Sequence, residues 1–178
     1  MKRDGKPGNL IKRKYYMEGP IKKIMVYIDG TEESITAGQY AICLSKSAGA
    51  ELSALYVINT RALNELLRAR IFIKSEQEEY KNDLEKDADR YLKHIKALAD
   101  EKAINVNLIK ASGNIIAEIK KSVKELDIDL LVIGELSRIQ SRLDELHNEV
   151  ERAMRSVSCS VLIVKDQERV ETLYESLK

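Results

Sequence analysis

Two kinds of apolar pattern alternate along the chain. Five short stretches are apolar at most positions, and runs of this kind are typical of strands buried on both faces of a parallel sheet. They occupy residues 21–28, 52–58, 104–109, 130–133 and 161–164. Between them, apolar residues recur every three or four positions, which predicts amphipathic helices. These helical patterns cover residues 37–48, 80–98, 115–126 and 143–157.

This order predicts an α/β fold, namely a doubly wound, five-stranded parallel sheet with helices on both faces, of the Rossmann-like type. In such sheets a ligand binds beyond the carboxyl ends of the strands, at the point where the strand order reverses. The residues to inspect are therefore those that end the predicted strands. They are Asp29 with Gly30, residues 57–59, residues 111–114, and the segment from Gly134 onward.

Charge divides the chain more sharply than its formal net charge of +1 suggests. The first 23 residues hold eight Lys and Arg against two acids, whereas the rest of the chain is acidic overall. We therefore predict a flexible basic arm over 1–20, an α/β domain over 21–166 and a helical tail over 167–178. The arm could contact nucleic acid or an anionic membrane surface, but a solvated terminus is the simpler interpretation.

Several functional classes find no support in the sequence. No apolar run approaches the roughly 20 residues of a membrane span, and none has the form of a signal peptide, so we expect a cytoplasmic protein. Cys43 and Cys159 are far apart and form neither a disulfide framework nor a CxxC motif. His94 has no partner at metal-ligand spacing, and no nucleophile-elbow motif is present. We expect neither a metal site nor an enzyme.

Five segments, in order, resemble the universal stress protein family. They are KKIMVYIDGTEES at 22–34, ALYVI at 54–58, ASGNII at 111–116, DLLVIGELSR at 129–138 and ERAMRSVSCSVLIVK at 151–165. The resemblance implies one family domain over about 22–165. It also implies a symmetric homodimer, joined through the last strand at 161–165, which we expect at an edge of the sheet. The tail, with Val170, Leu173 and Leu177 at helical spacing, is predicted to add a helix to that interface or to a neighbour.

Nucleotide-binding members of that family carry Gly-x-x-Gly-x(9)-Gly-Ser/Thr after the fourth strand, against the phosphates of ATP. Here Gly134 matches the first glycine, while Ser137, His147 and Asn148 replace the second glycine, the third glycine and the Ser/Thr. A Cβ obstructs the close backbone approach that a phosphate cradle needs. Because Leu143 and its neighbours extend the next apolar stripe backward, we predict that this segment is extra helix rather than a glycine loop.

The residues that match the adenosine side of the family pocket are better preserved than those of the phosphate loop. Asp29 matches the acid on the adenine or ribose side, and Val57 matches the position whose backbone meets adenine. Both residues also have ordinary explanations, as a turn that caps a helix and as a core strand residue. The resemblance therefore points to the branch that has lost ATP binding. We expect a non-enzymatic, homodimeric stress-response domain without a cofactor, which acts by contact with an unknown protein partner.

The alternative is an ATP- or adenine-nucleotide-binding regulatory domain with an altered phosphate site. Arg138 and Arg142, four residues apart, could hold a phosphate with their side chains, although a solvated helix face is the simpler explanation. Residues 59–75 are unusually apolar for a connection. We predict that they form a short helix over the strand ends, as a pocket wall or as a plug, or else a peripheral cluster on the long second helix.

Overall fold

The computed structural model describes residues 19–60, 74–136 and 144–178, of which 74–77 and 144–148 are described as backbone only. Most of the predicted basic arm, the greater part of the 59–75 segment, Ser137, Arg138 and Arg142 lie outside these ranges. The described strands are β1 (Lys23–Ile28), β2 (Glu51–Asn59), β3 (Val106–Gly113), β4 (Leu130–Gly134) and β5 (Ser160–Val164). The described helices are α1 (Glu32–Ala48), α2 (Lys74–Glu101), α3 (Ile115–Leu126), α4 (Asp144–Ser156) and α5 (Gln167–Ser176).

All five strands pair in parallel, in the order β3-β2-β1-β4-β5. At the centre, Val26 of β1 lies opposite Ala54 of β2 on one side and Val132 of β4 on the other. The predicted five-stranded, doubly wound sheet is therefore confirmed. Its order reverses between β1 and β4, which makes the carboxyl ends of these strands the topological switch point. The predicted edge position of the last strand is also correct.

The strands are apolar at successive positions because both faces of the sheet are covered. In β1, Ile24, Val26 and Ile28 belong to one core cluster with residues of α1, α2 and α5. Met25 and Tyr27 belong to the other cluster, with residues of α3 and α4. This alternation decides which side chains can reach each side of the switch point.

The third strand begins later and ends later than the 104–109 run suggests. Ala103 takes a left-handed conformation with φ of 55°, and the N–H of Ile104 donates to the carbonyl of Ala99, so this part still closes α2. Pairing with β2 then continues to the end of the strand, where Asn59 lies opposite Gly113. The register therefore brings the ends of β2 and β3 together.

The tail forms helix α5, which packs against α1 of its own chain. Val170 and Tyr174 are buried in the core that α1 and α2 cover. The Tyr174 hydroxyl donates to the carbonyl oxygen of Leu98 at 2.7 Å, and Lys102 Nζ donates to the carbonyl oxygen of Leu177 at 2.9 Å. The buried stripe of this helix thus packs within the chain. The predicted contribution of the tail to the dimer interface or to a neighbour stays a prediction.

Candidate functional site

The switch point lies where β1 and β4 end and α1 begins. A small hollow there is lined by ten residues, including Tyr27, Asp29, Ser34 and Gly134, and has about 10 Å³ of free volume. That space suits about one water molecule. A pocket that encloses a drug-sized ligand has roughly 300–1,000 Å³. By itself, this hollow admits a single polar group and not a whole nucleotide.

Asp29 shapes the turn into α1. Its Oδ1 accepts a hydrogen bond from the Thr31 N–H at 3.0 Å and another from the Thr31 hydroxyl at 2.7 Å. Thr31 is in turn the N-cap of α1, since its hydroxyl oxygen accepts from the Ser34 N–H at 3.2 Å. The ordinary explanation offered for Asp29, a turn that leads into a helix, is therefore visible in the geometry.

Val57 lies at the same edge of the sheet, one strand away. It is buried in the core cluster of α3 and α4 and lies opposite Ala111 of β3. The register places Ile28 opposite Tyr56, so Asp29 and Val57 follow at the ends of neighbouring strands. The two sequence-predicted positions are thus brought to one edge, and each also has a structural role there.

Gly134 allows β4 to touch the first turn of α1. A Cβ at this position would lie 2.5 Å from both the carbonyl carbon and the carbonyl oxygen of Glu33, and 2.8 Å from the nitrogen of Ser34. Real Cβ atoms essentially never approach backbone this closely. The close packing of two backbones is therefore enough to require glycine here, whether or not a phosphate binds.

Only some of the remaining phosphate-loop positions lie within the described residues. Ser137 lies outside them, whereas His147 and Asn148 are the fourth and fifth residues of α4, where only the backbone is described. In an α-helix the N–H of the fifth residue donates to a carbonyl one turn earlier. The predicted extra helix is therefore present over residues 144–148, and the Asn148 N–H is not available to a phosphate.

Tyr27 is a residue at this site that the sequence patterns did not single out. Tyr27 is 3% exposed and is one of the residues that line the hollow, and its hydroxyl makes no hydrogen bond to any described residue. Burial raises the pKa of Tyr27 well above its ordinary value, and the charges of Asp29 and Glu149 raise it further. Tyr27 therefore keeps its proton and offers a buried O–H donor.

A second group of side chains links β2, α3 and α4 at the same edge of the sheet. Glu149 accepts a hydrogen bond from the Asn59 side-chain amide at 3.4 Å and one from the Asn114 side-chain amide at 3.3 Å. Asn114 also caps α3 through its side-chain oxygen. An asparagine at the end of each of two strands was the available sequence signal, but it did not identify Glu149 as their common partner.

Two aromatic rings cover the other face of the sheet beside Asp29. Tyr56 of β2 stacks on Tyr91 of α2, with ring centroids 6.2 Å apart and planes 7° apart. Gly30, at φ of 90°, lies directly beneath Tyr91, whose ring would be 2.6 Å from a Cβ there. Burial and nearby carboxylates raise the pKa of Tyr56 to about 12. This ring pair keeps the turn after β1 in place.

Strongly alkaline pH should destabilise the fold through Tyr27. Its folded-state pKa lies above the unfolded value of 10.0, so the favourable contribution is present below that value and is lost as pH rises toward the folded pKa. We expect the free energy of unfolding to fall less in Tyr27→Phe than in the wild type between about pH 8 and about pH 11. Urea unfolding at both pH values measures this difference, and equal losses in the two proteins would contradict the assignment.

A larger hollow of about 860 Å³ lies at the opposite, amino edge of the sheet. The helices end there, and lysines satisfy some of their last carbonyls. Lys23 Nζ donates to the Leu126 oxygen at 3.0 Å, and Lys46 Nζ donates to the Lys102 oxygen at 2.8 Å. Size alone does not make this hollow the site, because ligands of doubly wound folds bind at the carboxyl edge.

The described side chains include no group of three or more metal-ligating residues. None of the described helices is long and apolar enough to cross a membrane.

Comparison with known proteins places the chain among its relatives. The model of the universal stress protein family matches residues 20–165. The chain belongs to this family. It is 32% identical over 151 residues to universal stress protein YxiE of Bacillus subtilis, covering 80% of this chain and 98% of the relative. It is 26% identical over 164 residues to a universal stress protein of Methanocaldococcus jannaschii, covering 88% of this chain and 94% of the relative.

Solved structures agree on the fold. A universal stress protein crystallised in complex with cAMP superposes with a TM-score of 0.61 at 16% identity, and the match covers 83% of this chain and 99% of that protein. At this identity the likeness concerns architecture alone. Helix α5 lies beyond the residues that the family model matches.

Proposed function

We propose that the protein is a non-enzymatic, homodimeric stress-response domain of the cytoplasm that acts by protein contacts and has lost conventional ATP binding. The observation that carries the dimer is the outer edge of β5, which pairs with no other strand within the described residues. Its residues Ser160–Val164 include no charged side chain, and Ile163 is 40% exposed. An apolar edge strand with unpaired backbone groups favours pairing with another strand.

The opposite edge of the sheet, formed by β3, differs because it exposes polar and charged side chains. On β3 the exposed positions include Asn107 and Lys110, and Lys110 forms an ion pair with Asp89 of α2 at 2.7 Å. Charged and polar side chains on an edge strand oppose edge-to-edge pairing. The contrast supports a closed pair of chains joined through β5 rather than an open filament joined through both edges.

The loss of ATP binding is supported by the segment that follows β4. Two matched glycines are replaced, Asn148 lies within α4, and Gly134 is already needed for packing against α1. A backbone cradle for a triphosphate needs N–H groups that are not used in a helix. Contact with another protein through the α/β domain requires none of these features.

The dimer predicts a clear effect of Ile163→Lys. Two-fold symmetry would place both copies of the new charge in the interface, so we expect the dissociation constant of the dimer to rise at least about tenfold, which corresponds to about 1.4 kcal/mol. Sedimentation equilibrium measures it. Leu173→Lys is the matched control, since Leu173 has nearly the same exposure, 39%, but belongs to α5 rather than to β5, and it should dimerise like the wild type.

Two outcomes would count against the proposal. One is a wild-type protein that remains monomeric at about 10–100 μM, where a stable dimer should form. The other is an Ile163→Lys variant that associates as tightly as the wild type. Because Ile163 is partly exposed, the substitution should change the thermal midpoint little, and that measurement separates lost association from lost folding.

A second candidate is the binding of an adenine-type ligand at the switch point. The Tyr27 hydroxyl favours it because it has no hydrogen-bond partner in the described part of the chain, and Asp29 lines the same hollow. A relative of the same fold was crystallised in complex with cAMP, which gives this candidate further support. It is compatible with the dimer, since the site lies at the ends of β1 and β4 rather than on the outer edge of β5.

A further inference from the structure

We propose that residues 10–17 of the basic arm dock in the hollow of about 860 Å³ at the amino edge of the sheet, within the same chain. Docking there brings bases of the arm against acids of the α/β domain. The hollow is then a binding site for a segment of the chain, at the edge opposite the switch point. This inference goes beyond the proposed function and depends on neither the dimer nor a ligand at the switch point.

The arm joins the domain at the rim of this hollow. The N–H groups of Lys22 and Lys23 donate to one carboxylate oxygen of Asp129, at 2.8 and 2.9 Å. The N–H of Glu51 donates to the carbonyl oxygen of Lys22 at 2.8 Å. Lys23 and Glu51 both line the hollow. The roughly ten residues from position 12 to Lys22 can extend about 35 Å, so the bases of the arm can reach the hollow.

The charge at the hollow favours a cationic occupant. Glu51 and Glu125 line it, and neither makes an ion pair with another residue in the described ranges. The lining lysines, Lys23 and Lys46, instead direct their ammonium groups to backbone carbonyl oxygens. The carboxyl ends of α1 and α3 also lie at the hollow, and such helix ends carry partial negative charge.

The same hollow has apolar groups and a buried hydroxyl. Ile104, Val106 and Leu126 line it, and each packs on a core cluster while remaining partly exposed. Ser53 is a further lining residue and is 9% exposed, and its hydroxyl makes no hydrogen bond to another residue that the structure describes. Buried hydroxyl groups generally have a hydrogen-bond partner. A peptide segment would supply apolar contacts as well as backbone donors and acceptors.

The sequence of the arm matches these features. Three consecutive bases occupy positions 12–14, and apolar or aromatic residues flank them at 10–11 and 15–17. The two acids of the arm lie outside residues 10–17. Because the arm is attached at the rim, its docking is intramolecular, with an effective concentration of millimolar order. Contacts that would be too weak for a free peptide are therefore sufficient here.

Carbodiimide cross-linking of the full chain, followed by peptide mass spectrometry, tests this docking. The reagent joins a lysine amine to a carboxylate without a spacer, so it reports groups in contact. We expect Lys12 and Lys14 to couple mainly to Glu51 and Glu125. The yield should fall at least about threefold at about 1 M salt, where exposed ion pairs are largely screened.

A double variant, Glu51→Gln with Glu125→Gln, gives a second readout in the full chain. It should raise the rate of trypsin cleavage after residues 12–14 at least about threefold, because the arm then leaves the hollow more often. Asp127→Asn is the matched control. It also removes an exposed acid at the end of α3, but Asp127 is not among the residues that line the hollow, so cleavage should keep the wild-type rate.

Three results would overturn the inference. Equal coupling of the arm lysines to acids throughout the domain, including those of α2 and α5, would mean that the arm has no docking site. Unchanged cleavage in a folded double variant, with a wild-type thermal midpoint, would mean that the two carboxylates do not hold the arm. In a mixture of ¹⁵N-labelled and unlabelled protein, cross-links between labelled and unlabelled copies would place the arm on a neighbouring molecule instead.

Discussion

Replacing Gly134 with alanine should lower the free energy of unfolding by about 3 kcal/mol, near the upper end of what overpacking usually costs. The added methyl would lie 2.5 Å from the carbonyl group of Glu33, and backbone atoms of a helix cannot rotate away as a side chain can. Either β4 or the first turn of α1 must then shift. Urea unfolding followed by circular dichroism measures the loss.

Gly49→Ala is the matched control for this substitution. Gly49 caps α1 at φ of 64°, but a Cβ there would meet nothing within 4 Å. Its replacement should therefore cost only the conformational strain, about 1 kcal/mol. If Gly134→Ala proves no more costly than Gly49→Ala, β4 and α1 do not approach as closely as the structure has them, and a role for Gly134 in ligand binding regains weight.

Tyr174→Ala should destabilise the protein by about 3–4 kcal/mol, the range typical of large aromatic truncations in a core. Tyr174 is 7% exposed, its ring packs in the core under α1, and Lys102 Nζ lies 4.6 Å from the ring centroid. The truncation also removes the hydroxyl that donates to the Leu98 carbonyl at 2.7 Å. Chemical denaturation at neutral pH gives the difference.

The neighbouring residue offers a sharp comparison for this second prediction. Leu173→Ala removes a side chain of similar apolar character from the same helix, but Leu173 is 39% exposed, so the loss should stay below about 1 kcal/mol. Similar losses at the two positions would show that α5 is not held by its buried stripe. A large loss at Tyr174 alone makes the tail part of the folded unit.

The architecture could be predicted from the sequence because strands that are buried on both faces are apolar at successive positions. Five apolar runs separated by helical stripes permit few arrangements other than a parallel sheet, and β5 could be assigned to an edge before any strand order was known. The limits of β3 were harder to predict. They depend on how long pairing with β2 continues and on the left-handed turn at Ala103, and neither leaves a periodic signal.

The site could be predicted only as a set of positions. Strand ends and family resemblance pointed to Asp29, Val57 and Gly134, and the structure brings these residues to one edge of the sheet. The sequence could not show that the Tyr27 hydroxyl has no hydrogen-bond partner among residues 19–60, 74–136 and 144–178, because that depends on every neighbour in three dimensions. For the same reason it could not show that Glu149 bridges two asparagines from other elements.

At the amino edge of the sheet, lysine side chains form hydrogen bonds between parts of the chain that are distant in sequence. The Lys23 side chain joins β1 to the end of α3 by a hydrogen bond, and the Lys46 side chain joins α1 to the end of α2 in the same way. Lys102, just after α2, donates a hydrogen bond to the tail. None of these residues lines the hollow at the carboxyl edge. Substitutions at the candidate site therefore leave these three hydrogen bonds intact, and the amino edge keeps its own links between distant segments.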